Sequence, residues 1–226
     1  MNDPSEIIKK KWEIEQNKLK EKLVTDDDNW ITNNEQLKYI GGVDISFIKG
    51  DPINACAAYV ILSYPDLKKV YEDYKMVKLT QPYIAGFLAF REVNFLVDLI
   101  NKAKESKPEL TPQIILVDGN GILHHRGFGL ASHLGVLINI PTIGIGKNLL
   151  YIDGLNKKTV RDEFRKTCKK GGDYLELIGD SGKIWGAAYM SNSKTLNPIY
   201  ISIGHKVSLY TIIYLLKSLY SICLQL

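Results

Sequence analysis

The sequence predicts an α/β protein built on one mixed sheet, and three observations carry that expectation. Three β-like runs, Tyr39 to Phe47, Ala55 to Ser63 and Val70 to Leu79, follow each other closely. They are separated by Lys49-Gly50-Asp51-Pro52 and Tyr64-Pro65-Asp66-Leu67, turn-forming stretches that suit a three-stranded antiparallel meander. The rhythm then changes to alternating helices and strands, the pattern of parallel strands joined by crossover helices. A hydrophobic content of 45% against 24% charged, over 226 residues, supports one sizeable core and one domain, residues 1–226.

The elements follow in order. Ser5 to Val24 sets Ile8, Trp12, Leu19 and Leu23 among alternating Lys and Glu, a polar helix with a narrow apolar stripe that packs on the outside of the domain. The run Asp26-Asp27-Asp28-Asn29 closes this first part (1–30). Consecutive acids in a turn point in different directions, so it reads as a solvated loop or helix cap rather than a metal cluster. After the meander come a helix over Ala85–Lys104, a strand over Gln113–Val117, a helix over Gly127–Ile138 and a strand over Thr142–Ile145. A helix near Lys158–Lys169, strands near Ile184–Met190 and Ile199–Ile203, and a terminal helix within 207–226 complete the chain. Lys217 interrupts the terminal apolar stretch, which favours a helix packed on the domain over a membrane span. A meander followed by alternating α and β elements is the order of the ribonuclease-H-like architecture, in which the first strand lies centrally beside the next parallel strand. Asp44 and Asp118 would then face one another.

Charge and cysteine usage narrow the function. A net charge of +4 permits nucleic-acid binding without demanding it. Three widely spaced cysteines without a CxxC pairing support neither a disulfide framework nor a zinc site. The polar start after Met1 is unlike a secretory signal, so a reducing compartment is expected.

Asp44, Glu92 and Asp118 each lie within or at the end of an apolar segment, where an isolated negative charge is expensive. One such acid alone reads as a turn or cap; three suit a hard divalent ion bound through oxygen. Tyr83 stands on a Pro-aromatic-Gly loop ahead of the helix, with Glu92 about two turns into that helix. An aromatic there can fill the gap left by an extruded base. The run from Val117 to Gly135 is rich in glycine, which lets a ligand approach the backbone, and holds three of the four histidines. His124 and His125 cannot share one site from a single extended segment, so only one is assigned a function. His133 is expected to make a structural hydrogen bond. Lys147 ends an apolar strand and can hold a phosphate.

These motifs resemble the endonuclease V family, in particular its animal-type members. The matching segments are Gly-Val-Asp-Ile-Ser at 42–46, Pro-Tyr-Ile-Ala-Gly-Phe-Leu-Ala-Phe-Arg-Glu at 82–92, Asp-Gly-Asn-Gly-Ile-Leu-His-His-Arg-Gly at 118–127, Pro-Thr-Ile-Gly-Ile-Gly-Lys at 141–147 and Ile-Ser-Ile-Gly-His at 201–205. The resemblance implies a ribonuclease-H-like fold and a Mg²⁺-dependent endonuclease, with Mn²⁺ able to substitute. Such an enzyme cuts at the second phosphodiester bond 3′ to inosine and leaves 5′-phosphate and 3′-hydroxyl ends. It also implies single-stranded inosine-containing RNA as substrate, with deoxyinosine DNA as a further one, and a nuclear or nucleolar location as an alternative to the cytoplasm that the cysteine usage and an RNA substrate suggest. A monomer without membrane association is expected. Carried over by residue, Asp44 and Asp118 are the principal metal ligands, Glu92 is the third carboxylate, and His124 and Lys147 complete the catalytic set. Tyr83 is the wedge, while Gly86, Leu88, Gly119, Leu130 and Gly144 form the hypoxanthine pocket. The terminal stretch Leu215 to Leu226 lacks the family's Arg-Ile-Pro-Glu-Pro-like continuation. A non-catalytic reader of inosine-containing RNA is therefore the alternative.

Overall fold

The computed structural model describes residues 4–32, 36–193, 195 and 197–224; the ends of the expected 1–30 and 207–226 segments lie outside it. The meander forms as β1 (Tyr39–Phe47), β2 (Asn54–Ser63) and β3 (Lys69–Lys78), paired antiparallel. Before it in the chain lie α1 (Pro4–Lys20) and α2 (Asn29–Thr32), and after it α3 (Ala89–Ser106), β4 (Ile114–Asp118), α4 (Leu130–Ile138) and β5 (Thr142–Gly146). The remainder is α5 (Lys157–Thr167), β6 (Tyr174–Ile178), β7 (Ile184–Tyr189), β8 (Ile199–His205) and α6 (Leu209–Cys223).

The strands of the described residues join one 8-stranded sheet in the order β3-β2-β1-β4-β5-β8-β7-β6. As expected from the ribonuclease-H-like order, β1 runs parallel to β4, with Val43 opposite Val117, and β4 runs parallel to β5. Side chains along β2 alternate between buried and half-buried, the two-residue period of a strand with one face on the core. That face of β1, β2 and β4 packs under α3 and α4 through Val43, Ala57, Leu96, Val117 and Leu134. On the other face, Ile143, Ile201, Ile212 and Leu216 bind α6 to the sheet.

Four expectations change. α3 begins at Ala89 rather than Ala85, because residues 84–87 close a turn in which the Phe87 amide donates to the Ile84 carbonyl at 3.0 Å. Glu92 is consequently in the first turn of α3, not two turns in. α4 begins at Leu130 rather than Gly127, the preceding glycines being drawn into the loop described below. Strand β6 was not expected: it pairs only with β7 at the sheet edge, and its half-exposed pattern carries little apolar signal.

Of a solvated loop and a helix cap, the acidic run supplies the cap, to a helix far along the chain. Asp27 accepts from the Ser208 amide at 2.6 Å and from the Thr211 hydroxyl at 2.8 Å, holding the start of α6. Among the described residues no helix is long and apolar enough to cross a membrane.

Candidate active site

The adjacent, parallel β1 and β4 bring Asp44 and Asp118 side by side at the same end of the sheet, one residue beyond the Val43–Val117 pair. Their carboxyl groups come within hydrogen-bonding reach of each other. Burial, then this contact, pushes the Asp44 carboxyl above its ordinary range, against the opposing pull of Ser46 and Lys147. Lys147, just past β5, donates to Asp118 Oδ2 at 2.6 Å and is itself held protonated by that contact. With 76% of its side chain exposed, this ammonium can move without breaking the core.

Glu92 stands apart from the pair. It is 4% exposed, its Oε1 has no hydrogen-bond partner, and burial pushes its carboxyl up to about 7, with Asp118 and Asp44 adding to the rise against Arg91. Among the described residues no three His, Cys, Asp or Glu side chains converge tightly enough to cage a metal ion. The donor chemistry nevertheless fits a hard cation. Two carboxylates in contact call for a shared positive charge, and a third carboxylate oxygen is buried without one.

The raised Glu92 group gives a prediction. Below about pH 4.5 the carboxyl is neutral folded or unfolded; between there and about 7 it ionises more readily in the unfolded chain, so stability is lost as pH rises across that window. Glu92→Gln should remove that loss in metal-free protein, raising the unfolding temperature at pH 7.5 but not at pH 4. A pH-independent difference between the two proteins would refute the assignment.

Beside the carboxylates lies a cavity of about 220 Å³, lined by Tyr83, Gly86, Leu88, Asp118, Gly119, Asn120, His124, His125, Phe128, Leu130 and Leu150, among others. Two loops form it. One is the 81–88 segment, where Gly86 has the left-handed φ of +84° that favours glycine and Tyr83 is 69% exposed at the rim. The other is the 119–129 loop, which folds back over β5 and β8. The Gly119 amide donates to the Ile145 carbonyl at 2.9 Å, Gly121 to Ser202 Oγ at 2.9 Å, and Ile122 to the Ile203 carbonyl at 2.8 Å. A Cβ at Gly121 would lie 1.9 Å from the Ile203 carbonyl oxygen, so this approach requires glycine. Gly144 underlies the cavity rather than lining it: its missing side chain leaves room for the main chain of Gly119 to Gly121.

The histidines differ from expectation in two respects. Residues 122–127 form turns, with His124 bonded to the Ile122 carbonyl at 2.7 Å and Gly127 to that of His124 at 2.7 Å. Both His124 and His125 therefore reach the cavity, which an extended segment would not allow. His124 Nδ1 accepts from the Arg126 amide at 3.3 Å, and burial holds the ring down to about 4. The ring is neutral at pH 7, with its Nε2 proton free to donate. His133 does not make the expected structural bond through Nδ1, which is buried without a partner. It packs edge-on to Phe90 at 4.9 Å and beside Phe128 at 5.7 Å, and burial holds it neutral, down to about 4.

Asn120, His125, Phe128 and Leu150 also line the cavity without having been singled out from the sequence. Asn120 and Phe128 lie within the glycine-rich run, whose spacing signals the loop but not which side chains turn inward.

Comparison with known proteins fits this geometry. The family model described as Endonuclease V matches residues 17–223. The chain belongs to the endonuclease V family. Endonuclease V of Mus musculus is 49% identical over 209 residues, covering 91% of this chain; the chain spans 62% of that relative's own length. A crystal structure of the catalytic domain of human Endonuclease V superposes with a TM-score of 0.91 at 46% identity, covering 96% of this chain and 89% of that one. The Endonuclease V of Ciona intestinalis, solved in complex with a DNA containing an inosine followed by a ribo-adenosine, gives a TM-score of 0.86 at 37% identity, covering 96% of this chain and 90% of that one.

Proposed function

We propose that this endonuclease V family member is an inosine-directed endonuclease. It cuts single-stranded inosine-containing RNA, and also deoxyinosine DNA, at the second phosphodiester bond 3′ to the inosine. One observation carries the reading: Asp118 lines both the 220 Å³ cavity and an open groove of about 430 Å³ that also contains Asp44 and Lys147. A base seated in the cavity thereby leaves its own strand beside the carboxylates. The inosine in the Ciona complex supports the choice of base, and the ribo-adenosine after it supports a role for the sugar 2′-hydroxyl, the group that distinguishes RNA from DNA.

Asp44 and Asp118 would hold Mg²⁺, or Mn²⁺ in its place, with Glu92 as the third carboxylate. When bound, the cation supplies neutralisation of the phosphate and a more acidic water. Lys147, already poised at Asp118, contacts a non-bridging phosphate oxygen and stabilises the charge that develops there. Water adds to phosphorus and the bond to the 3′ oxygen breaks, giving 5′-phosphate and 3′-hydroxyl ends. His124 donates from Nε2 to an acceptor in the cavity. Main-chain groups of the two loops read the base edge, and Tyr83, exposed at the rim, fills the place the base leaves in its stack.

The test compares labelled single-stranded RNAs differing only in inosine against adenosine, first cut in magnesium and then bound in calcium. Wild type should cut the inosine strand selectively. Tyr83→Ala should weaken inosine-RNA binding by about 1–3 kcal/mol with magnesium affinity unchanged, and Tyr83→Phe should bind nearly as wild type. Cutting that ignores inosine would overturn the proposal, and retention of inosine RNA without product would favour the non-catalytic reader.

A further inference from the structure

Helix α1 carries a side chain that the reaction above leaves unused. Gln16 is 1% exposed, one turn from the buried Trp12. Its Nε2 donates to the Gly86 carbonyl at 3.2 Å and to the Phe128 carbonyl at 3.0 Å, while its Oε1 accepts from Arg126 Nε. An amide NH₂ has two hydrogens, and here they are spent on two different loops. Gly86 belongs to the Tyr83 loop and Phe128 to the glycine-rich loop; both line the 220 Å³ cavity. One buried amide thus bridges opposite walls of the same cavity.

The neighbours of Gln16 strengthen the bridge. Glu13 accepts from Arg126 Nη1 at 2.8 Å, Asn17 from Nη2 at 3.1 Å, and Lys20 donates to the Arg126 carbonyl at 2.7 Å. Glu13, Gln16, Asn17 and Lys20 recur at the spacing of one helix face, and the Arg126 guanidinium they hold lies over the Phe87 ring at 5.2 Å. Trp12 anchors the helix independently, stacked on Phe90 with ring centroids 5.1 Å apart.

We propose that Gln16 is a positioning residue for base recognition: it fixes the separation of the two loops and so the width of the slot that receives the base. The inference rests on the inosine reading above. Without the bridge the spacing of the Tyr83 loop and the His124 loop is left to the less directional contact of Arg126 with Phe87, and main-chain groups matched to a planar base lose their register.

Gln16→Glu is nearly isosteric and keeps an acceptor for Arg126 but has no hydrogens for the two carbonyls. Gln16→Met keeps the length and suits a buried position, and it carries the test should the glutamate variant fail to fold. Each is compared with wild type in calcium, by titration against single-stranded RNA containing inosine and against the same RNA with adenosine, with unfolding temperatures measured alongside. The expected result is an approximately tenfold or greater loss of inosine-RNA affinity with adenosine-RNA affinity unchanged. Variants that keep wild-type selectivity, or that lose affinity for both RNAs by the same factor, would overturn the proposal while leaving the inosine reading intact. A wild-type protein that fails to distinguish the two RNAs would overturn both.

Discussion

Asp44→Ala is expected to abolish cleavage of inosine-containing RNA, lowering the single-turnover rate by at least about a thousandfold, while the protein stays folded and retains RNA. The two outcomes separate because of what Asp44 does in the folded chain. Its carboxyl is pushed up by burial and by Asp118, so the ionised group costs stability rather than supplying it. Alanine on β1, opposite Ala58 of β2, leaves the ladder intact, and the Asp118–Lys147 pair survives at the neighbouring strand end. Unfolding temperature should therefore hold or rise as activity disappears, the behaviour of a site maintained at the expense of stability. Rates measured in magnesium, with calcium binding and thermal unfolding as controls, check each part. Undiminished turnover by Asp44→Ala would remove the carboxylate pair from the mechanism.

A large effect on stability is expected from Gly144→Ala. A Cβ there would stand 2.3 Å from the Gly121 amide nitrogen, 2.8 Å from the Gly119 carbonyl oxygen and 2.9 Å from the Asn120 carbonyl carbon. All three are main-chain atoms in a segment held by hydrogen bonds to β5, β8 and the start of α4, so no side-chain rotation relieves the clash. Overpacking of this kind costs about 1–3 kcal/mol or more, and in a domain of this size each kcal/mol lowers the unfolding temperature by about 2–4 °C. The loop can yield only toward the cavity side, so selectivity for inosine should fall together with stability. An alanine variant with wild-type unfolding temperature and wild-type selectivity would show that the loop accommodates the methyl group, against the geometry above.

Helix starts were the least legible features of the sequence. The apolar pattern ahead of Ala89 looks helical, yet Ile84 to Phe87 close into a turn, and the positive φ of Gly86 ends any regular path there. Gly127 to Gly129 likewise belong to the cavity loop, where the Gly129 amide bonds back to the Gly121 carbonyl at 2.9 Å. The surroundings of His133 are illegible in the sequence for a related reason: a buried imidazole can be accommodated by aromatic packing in its neutral form, and no local signal separates that from a hydrogen-bonded ring. Gln16 left no trace in the sequence, since its partners lie 70 and 112 positions away.

By itself the sequence determined the β-meander, the alternation after it, and the placing of Asp44 within one apolar strand and Asp118 at the end of another. Those are local properties: two-residue periodicity, turn chemistry and the cost of a charge in an apolar run are all written within a few residues. Only the tertiary structure decided that Glu92 Oε1 is buried without a partner, that both His124 and His125 reach the cavity, and that α1 ties its walls together. Such relations depend on strand register and on hydrogen bonds between distant segments, where a single buried amide or an absent Cβ sets distances that no neighbouring residue encodes.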